Sequence, residues 1–280
     1  MAKKKPGSTA VAKTTGTAVA VPDYGDMAGN GFENQTNEDV AIPFLNLLQP
    51  MSPEVDKDED TYIKGATAGR MINSVTKELF PEEGVFVVPC DTQHVFVEWV
   101  PRTEGGGFVG IHQINDPIVL AAKEAATEYG KFKTEGGNDL IETFYVFALL
   151  LNEPTDTESV GPIVIAFTST KIKVYKALMT KLRTIKGRPP LFAHRLHITT
   201  VSQTHTGGKS KNYALSPAIN ASTVESMIPP TLDGEPHPLL QEAQTLMGAV
   251  RSGDKKASHE SERTGAASSS GEAKDVEAPF

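Results

Sequence analysis

Leu140-Ile141-Glu142-Thr143-Phe144-Tyr145-Val146-Phe147-Ala148-Leu149-Leu150-Leu151 is the most apolar run in the chain, and its reading decides the fold. It is shorter than the roughly 18–20 residues of a membrane span. Its aromatic and β-branched content predicts a long central strand instead. A turn through Pro154 leads to a second strand over residues 163–168. Upstream, short β-branched or aromatic runs at 71–75, 85–90, 95–100 and 108–112 read as strands separated by Pro, Gly or Asp. Gly105-Gly106-Gly107 lies between the last two and reads as a hairpin turn, since a phosphate loop requires other spacing and a following helix. Residues 117–129 predict a helix with Pro117 in its first turn and a break at Gly130.

The first apolar cluster, Ile42-Pro43-Phe44-Leu45-Asn46-Leu47-Leu48, is closed by Pro50 and Pro53 and is expected to anchor the fold as a short helix or turn. Downstream, Ser169 or Thr170 can cap a helix ending at Gly187. Ile172, Tyr175, Leu178, Met179, Leu182 and Ile185 share one of its faces, with Lys173, Lys176, Thr180, Arg183 and Thr184 opposite. Residues 191–206 alternate as a strand, Gly207-Gly208 turns it, and residues 209–215 return as a hairpin partner. Residues 238–250 form an amphipathic helix. The pattern predicts an α+β fold with a mostly antiparallel β-sheet, and by analogy an OB-like barrel with added helices.

Residues 1–37, rich in Ala, Thr, Gly and Lys, read as a flexible N-terminal arm. Residues 38–250 read as one domain, and residues 251–280, nearly without apolar side chains, as a disordered acidic tail. The single cysteine, Cys90, excludes an internal disulfide and a cysteine-rich zinc site. No signal peptide or membrane span is expected, which points to the cytoplasm.

Charge is the second organising feature. Residues 159–224 contain no Asp or Glu but seven lysines and three arginines, in a chain of net charge −8. A solvated helix face would interleave glutamates at i,i+4, and none is present here. An acidic protein with one basic segment suggests a polyanion partner such as nucleic acid. Candidate phosphate contacts are Lys171, Lys173, Lys176, Lys181, Arg183, Lys186, Arg188, Arg195, Lys209 and Lys211. Among the aromatics, Tyr213 near the hairpin tip is the leading base-stacking candidate, with Trp99 a further one; Tyr175, on the apolar helix face, reads as core.

Enzymatic readings are weaker. Thr206-Gly207-Gly208-Lys209-Ser210 has the end of a nucleotide phosphate loop, but Gln203 stands where Gly is required. His194 and His197 are three apart on an expected strand and face opposite sides, so they do not chelate together. Asp91, Glu98 and Glu142 lack the spacing of a nuclease metal site. No catalysis and no cofactor are expected.

The chain ends Asp275-Val276-Glu277-Ala278-Pro279-Phe280. A terminal Phe joins a ring to the α-carboxylate, which suits a small apolar pocket edged by Arg or Lys. This ending resembles the C-terminal tip of bacterial and phage single-stranded DNA-binding proteins. The body resembles phage-encoded single-stranded DNA-binding proteins over roughly residues 40–115, at Ile42-Pro43-Phe44-Leu45, Asn73-Ser74-Val75-Thr76, Val97-Glu98-Trp99 and Gly105-Gly106-Gly107-Phe108. The resemblance implies non-catalytic single-stranded DNA binding in the bacterial host cytoplasm. It also implies that Asp275, Glu277, Pro279 and Phe280 dock replication or recombination proteins. A homo-oligomer is compatible with this. Rival expectations are a strand-annealing recombination protein and a virion or scaffold protein with a basic face.

Overall fold

The computed structural model describes residues 42–257 and 259, apart from residues 129, 206, 207, 220, 221 and 223. The elements run β1 (Leu45–Leu47), β2 (Met71–Asn73), β3 (Val85–Val100), β4 (Gly107–Gln113), α1 (Pro117–Ala125), β5 (Phe132–Lys133), β6 (Asp139–Leu151), β7 (Gly161–Thr168), α2 (Lys171–Arg183), β8 (Leu196–His205), β9 (Gly208–Pro217) and α3 (Pro238–Ser252). The protein is α+β, and every pairing between these strands is antiparallel.

The apolar run at 140–151 forms β6, which pairs with β3 from Phe86↔Leu151 to Trp99↔Asp139. The two expected strands at 85–90 and 95–100 are therefore one 16-residue strand. Asp91-Thr92-Gln93-His94 does not turn, because the long partner holds all four in register opposite Phe147 to Phe144. The interruption is a β-bulge between Pro89 and Asp91 that leaves Cys90 unpaired. An extra residue shifts the side-chain alternation by one, so Val88 before the bulge and Cys90 within it join Val95 and Val97 after it in one core cluster.

Both faces of β6 are covered. Tyr145, Phe147, Leu149 and Leu151 meet Leu239, Ala243, Leu246 and Val250 of α3. The alternate residues Phe144, Val146 and Ala148 meet Leu178 and Leu182 of α2, while Leu140 meets Val119 and Ala122 of α1. Each fully buried Leu or Val here contributes on the order of 1.5–3 kcal/mol.

The expected OB-like barrel is not closed among the described residues. At one end the order is β4-β3-β6-β5, and at the other β9-β8-β3-β6-β7, and no strand pairing among the described residues closes the ring. The segment around β1, expected as a helix or turn, instead straps the gap between the outer edges of β7 and β9. Phe44 forms a parallel bridge with Val164 of β7. On the β9 side the Gln49 amide exchanges two hydrogen bonds with the Lys211 backbone, at 3.0 and 2.9 Å. A backbone bridge on one side and a side-chain amide on the other thus stand where a closing strand ladder would run in a barrel.

Helix limits also differ from expectation. α1 stops at Ala125 because Ala126 turns extended, bringing the chain back so that Phe132 packs on Phe96 and Val119. α2 has no side-chain N-cap at Thr170, and Ser169 is held at φ +48°, so neither expected capping residue caps it. It also ends at Arg183, before Gly187. A 3-10 turn at Leu191–Ala193 precedes β8, so the strand starts at Leu196. The chain does not leave the body at residue 251. Arg251 pairs with Asp91, and Ile42 donates its backbone N–H to the Lys256 carbonyl at 3.2 Å. Among the described residues no helix is long and apolar enough to cross a membrane.

Candidate nucleic-acid interface

α2 lies on the sheet through Tyr175, whose ring stacks on Phe144 at 4.6 Å and tilts against Phe167 at 5.6 Å. This packing turns the opposite face outward. Lys173, Lys176, Lys181 and Arg183 are exposed along it, and Lys186 and Arg188 extend the same charge into the following loop. None of these six has a carboxylate partner within the described residues. Local acids are absent from the sequence, and the acid that the fold brings near Arg183 and Arg188, Asp91, is already paired with Arg251.

The hairpin of β8 and β9 adds to this face. Lys209 and Lys211 share the strand parity of Tyr213, which packs in the core cluster beneath α2. The Lys171 ammonium lies 5.4 Å from the Tyr213 ring centre, joining the start of α2 to β9. Lys209 is exposed, and Lys211 donates to Ser202 Oγ at 2.9 Å. The ridge and the hairpin cations therefore belong to one side of the sheet.

Three sequence-predicted site residues do not. Tyr213 is 2 % exposed, and its hydroxyl donates to the Leu45 carbonyl at 2.9 Å. Burial pushes its phenol pKa up, and no ring face is open to a base. Trp99 packs edge-on to Phe108 at 5.8 Å in the cluster under α3, across the sheet from α2. Arg195 is buried beside the 3-10 turn and donates to the Asp156 carbonyl at 3.3 Å; desolvation lowers its pKa. The β1 strap covers Tyr213 and the 154–160 loop meets Arg195, both distant in sequence, while Trp99 is half-buried. The arm, residues 260–280 and the tip residues Asp275, Glu277, Pro279 and Phe280 lie outside the described residues.

The carboxylates weighed for metal chemistry hold separate partners. Asp91 takes a bidentate pair from Arg251 at 2.9 and 3.1 Å. Glu98 accepts from Asn138 and contacts His112, and Glu142 contacts His94. His197 donates to the Glu83 carbonyl at 2.8 Å and stacks on Phe86, while His194 lies before β8 and is buried.

One feature was invisible in the sequence. The outer edge of β3 is paired to β8 over Val85–Val87 and to β4 from Val95 onward, which leaves a notch between them. A cavity of about 670 Å³ sits there. Cys90 and Asp91 of the bulge, Arg183 at the end of α2, Arg188 of the following loop, His194 after the 3-10 turn and Met247 of α3 are among its walls. The Cys90 thiol donates to the Val88 carbonyl at 3.2 Å, and burial pushes its pKa up to about 12. At neutral pH it stays protonated and is a poor nucleophile.

Fold and surface together define an α+β protein with a doubly covered antiparallel sheet and an uncompensated cationic helix face. The family model described as Pam3 phage gp34-like protein matches residues 12–256, and the chain belongs to that family of phage proteins. No curated protein and no solved structure matches it.

Proposed function

We propose that this phage protein binds single-stranded DNA without catalysis or cofactor. It coats and protects single strands during replication or recombination in the host cytoplasm. The observation that carries this reading is the face formed by Lys173, Lys176, Lys181, Arg183, Lys186 and Arg188, exposed together and without carboxylate partners among the described residues. Uncompensated like charges repel by a few tenths of a kcal/mol per helical pair. A polyanion that neutralises them gains counterion-release free energy. Lys209 and Lys211 widen the same side. The acidic tail ending in Pro279-Phe280 supports recruitment of replication or recombination proteins, and the residues resembling phage single-stranded DNA-binding proteins support the preference for single strands.

The test is anisotropy titration against single- and double-stranded oligonucleotides of one sequence at several salt concentrations. Tighter binding to the single strand, falling steeply with salt, is expected. Equal affinity for both forms, or affinity indifferent to salt, overturns the proposal. Removal of Pro279 and Phe280 is expected to leave DNA affinity intact and abolish capture of partner enzymes.

A further inference from the structure

We propose that the cavity in the β3 notch is a nucleotide-binding pocket. In it Arg183 and Arg188 take the phosphate and His194 takes the hydrogen-bonding edge of the base. The inference goes beyond strand binding by the α2 face, with which it shares Arg183 and Arg188.

The first observation is an unmet need. His194 is 1 % exposed, and neither ring nitrogen has a hydrogen-bond partner among the described residues. A buried polar group without a partner is costly to keep, so side chains in this state mark places where a ligand or an ordered water completes the bonding. Desolvation lowers the His194 pKa, so the ring is neutral. A neutral imidazole offers one donor and one acceptor. That mixed pattern matches the edge of a nucleobase, which presents donors and acceptors side by side, and it does not match a simple anion.

The second observation is charge. The side chains of Arg183 and Arg188 line the cavity with no ion pair among the described residues. Guanidinium groups bind phosphate bidentately through fixed, parallel N–H donors. Arg251 is already committed to Asp91, and that pair also neutralises the one carboxylate in the wall, which would otherwise repel an anion.

The third observation is shape. A volume of about 670 Å³ lies within the roughly 300–1,000 Å³ of small-molecule pockets. Phe192, Pro190 and Met247 supply flat or pliant apolar surface of the sort that accepts a base. A flat group with mixed hydrogen bonding joined to a phosphate is a nucleotide, either free or at the 5′-phosphorylated end of a strand.

The experiment is calorimetric titration of the full chain with deoxynucleoside 5′-monophosphates, with the unphosphorylated deoxynucleosides, and with inorganic phosphate. Saturable binding of at least one monophosphate is expected, with the nucleoside alone and phosphate alone each about tenfold weaker or worse. Arg188→Gln, on an exposed residue, is expected to weaken the monophosphate by about tenfold. Met247→Trp is expected to fill the cavity and abolish uptake with the melting temperature kept. No saturable binding, equal binding of inorganic phosphate, or unchanged binding in both variants overturns the proposal. Comparing 5′-phosphorylated with 5′-hydroxyl oligonucleotides separates the sources. A preference for the phosphorylated end that Met247→Trp removes assigns the pocket to strand ends, and no preference assigns it to free nucleotide. Strand binding without mononucleotide uptake overturns this proposal alone, and uptake without strand binding overturns only the strand-binding reading.

Discussion

The Tyr213 hydroxyl donates to the Leu45 carbonyl at 2.9 Å, across 168 positions of the chain. This bond ties the β1 strap to the edge strand β9, beside the Gln49–Lys211 backbone exchange. Removing the hydroxyl leaves the Leu45 carbonyl without that donor in a buried setting. Tyr213→Phe is therefore expected to cost about 1–2 kcal/mol of stability. DNA affinity is expected to stay unchanged, since the ring is core. Urea melts and anisotropy on the same preparation check both parts, and lost affinity with intact stability would restore Tyr213 as a stacking residue.

The cationic face makes a quantitative demand. Single-strand binding loses affinity with salt at a log–log slope of about −0.7 per phosphate neutralised. If the six exposed cations each meet a phosphate, the slope is about −4. Each of Lys173→Gln, Lys176→Gln and Lys181→Gln is expected to make it shallower by about 0.7. Thermal stability should barely move, because these side chains hold no carboxylate. Slopes that stay constant across the three variants would remove α2 from the interface.

What was legible in the sequence was periodic. The apolar run ending at Leu151, the two faces of α2 and the pairing of β8 with β9 each follow from spacing over neighbouring residues. Asp91-Thr92-Gln93-His94 misled because polar residues that break an apolar run look like a turn. Only the partner strand, some fifty positions later, makes them a bulged strand interior. Tyr213 and Arg195 looked like surface residues for a similar reason. Each is basic or lies among basic residues in sequence, while the groups that bury them, Leu45 and the Asp156 loop, come from elsewhere in the chain. The cavity draws its walls from β3, the end of α2, the 3-10 turn and α3, so no local window contains it. His194 and His197 are too close in sequence to hide, but their spacing argues only against joint chelation and says nothing of a cavity.

Two histidines make stability depend on pH. His237 is the N-cap of α3, its Nδ1 accepting from the Leu239 N–H at 3.3 Å, a role only the unprotonated nitrogen can fill. Desolvation, then the nearby Arg195 charge, lowers its pKa, and desolvation alone lowers that of His194. Both start from a reference of 6.5 in the unfolded chain. Between that value and the lower folded values the unfolded chain binds more protons, so stability is full above it and is lost as pH falls. Chemical denaturation from pH 7.5 to 5 is expected to show this decline. His237→Asn keeps an acceptor at the cap and should flatten part of it. A profile unchanged by the substitution would place the acid sensitivity elsewhere.

Gly84 stands where β8 crosses the start of β3. Its φ is +111°, and an added Cβ would lie 2.3 Å from the Ile198 carbonyl oxygen and 2.8 Å from His197 Nε2. The first of these is backbone of the paired strand and cannot swing aside without breaking the Val85↔Ile198 register. Gly187, after α2, is also left-handed at φ +87° but has open space around its Cα. Both positions carry the conformational penalty of a side chain at positive φ, about 1 kcal/mol, and only Gly84 adds the clash. Gly84→Ala is expected to cost more than about 2 kcal/mol, and Gly187→Ala about 1 kcal/mol. The difference separates steric approach from backbone preference. Equal shifts in melting temperature would mean that β8 and β3 do not meet as closely at this point as the register requires.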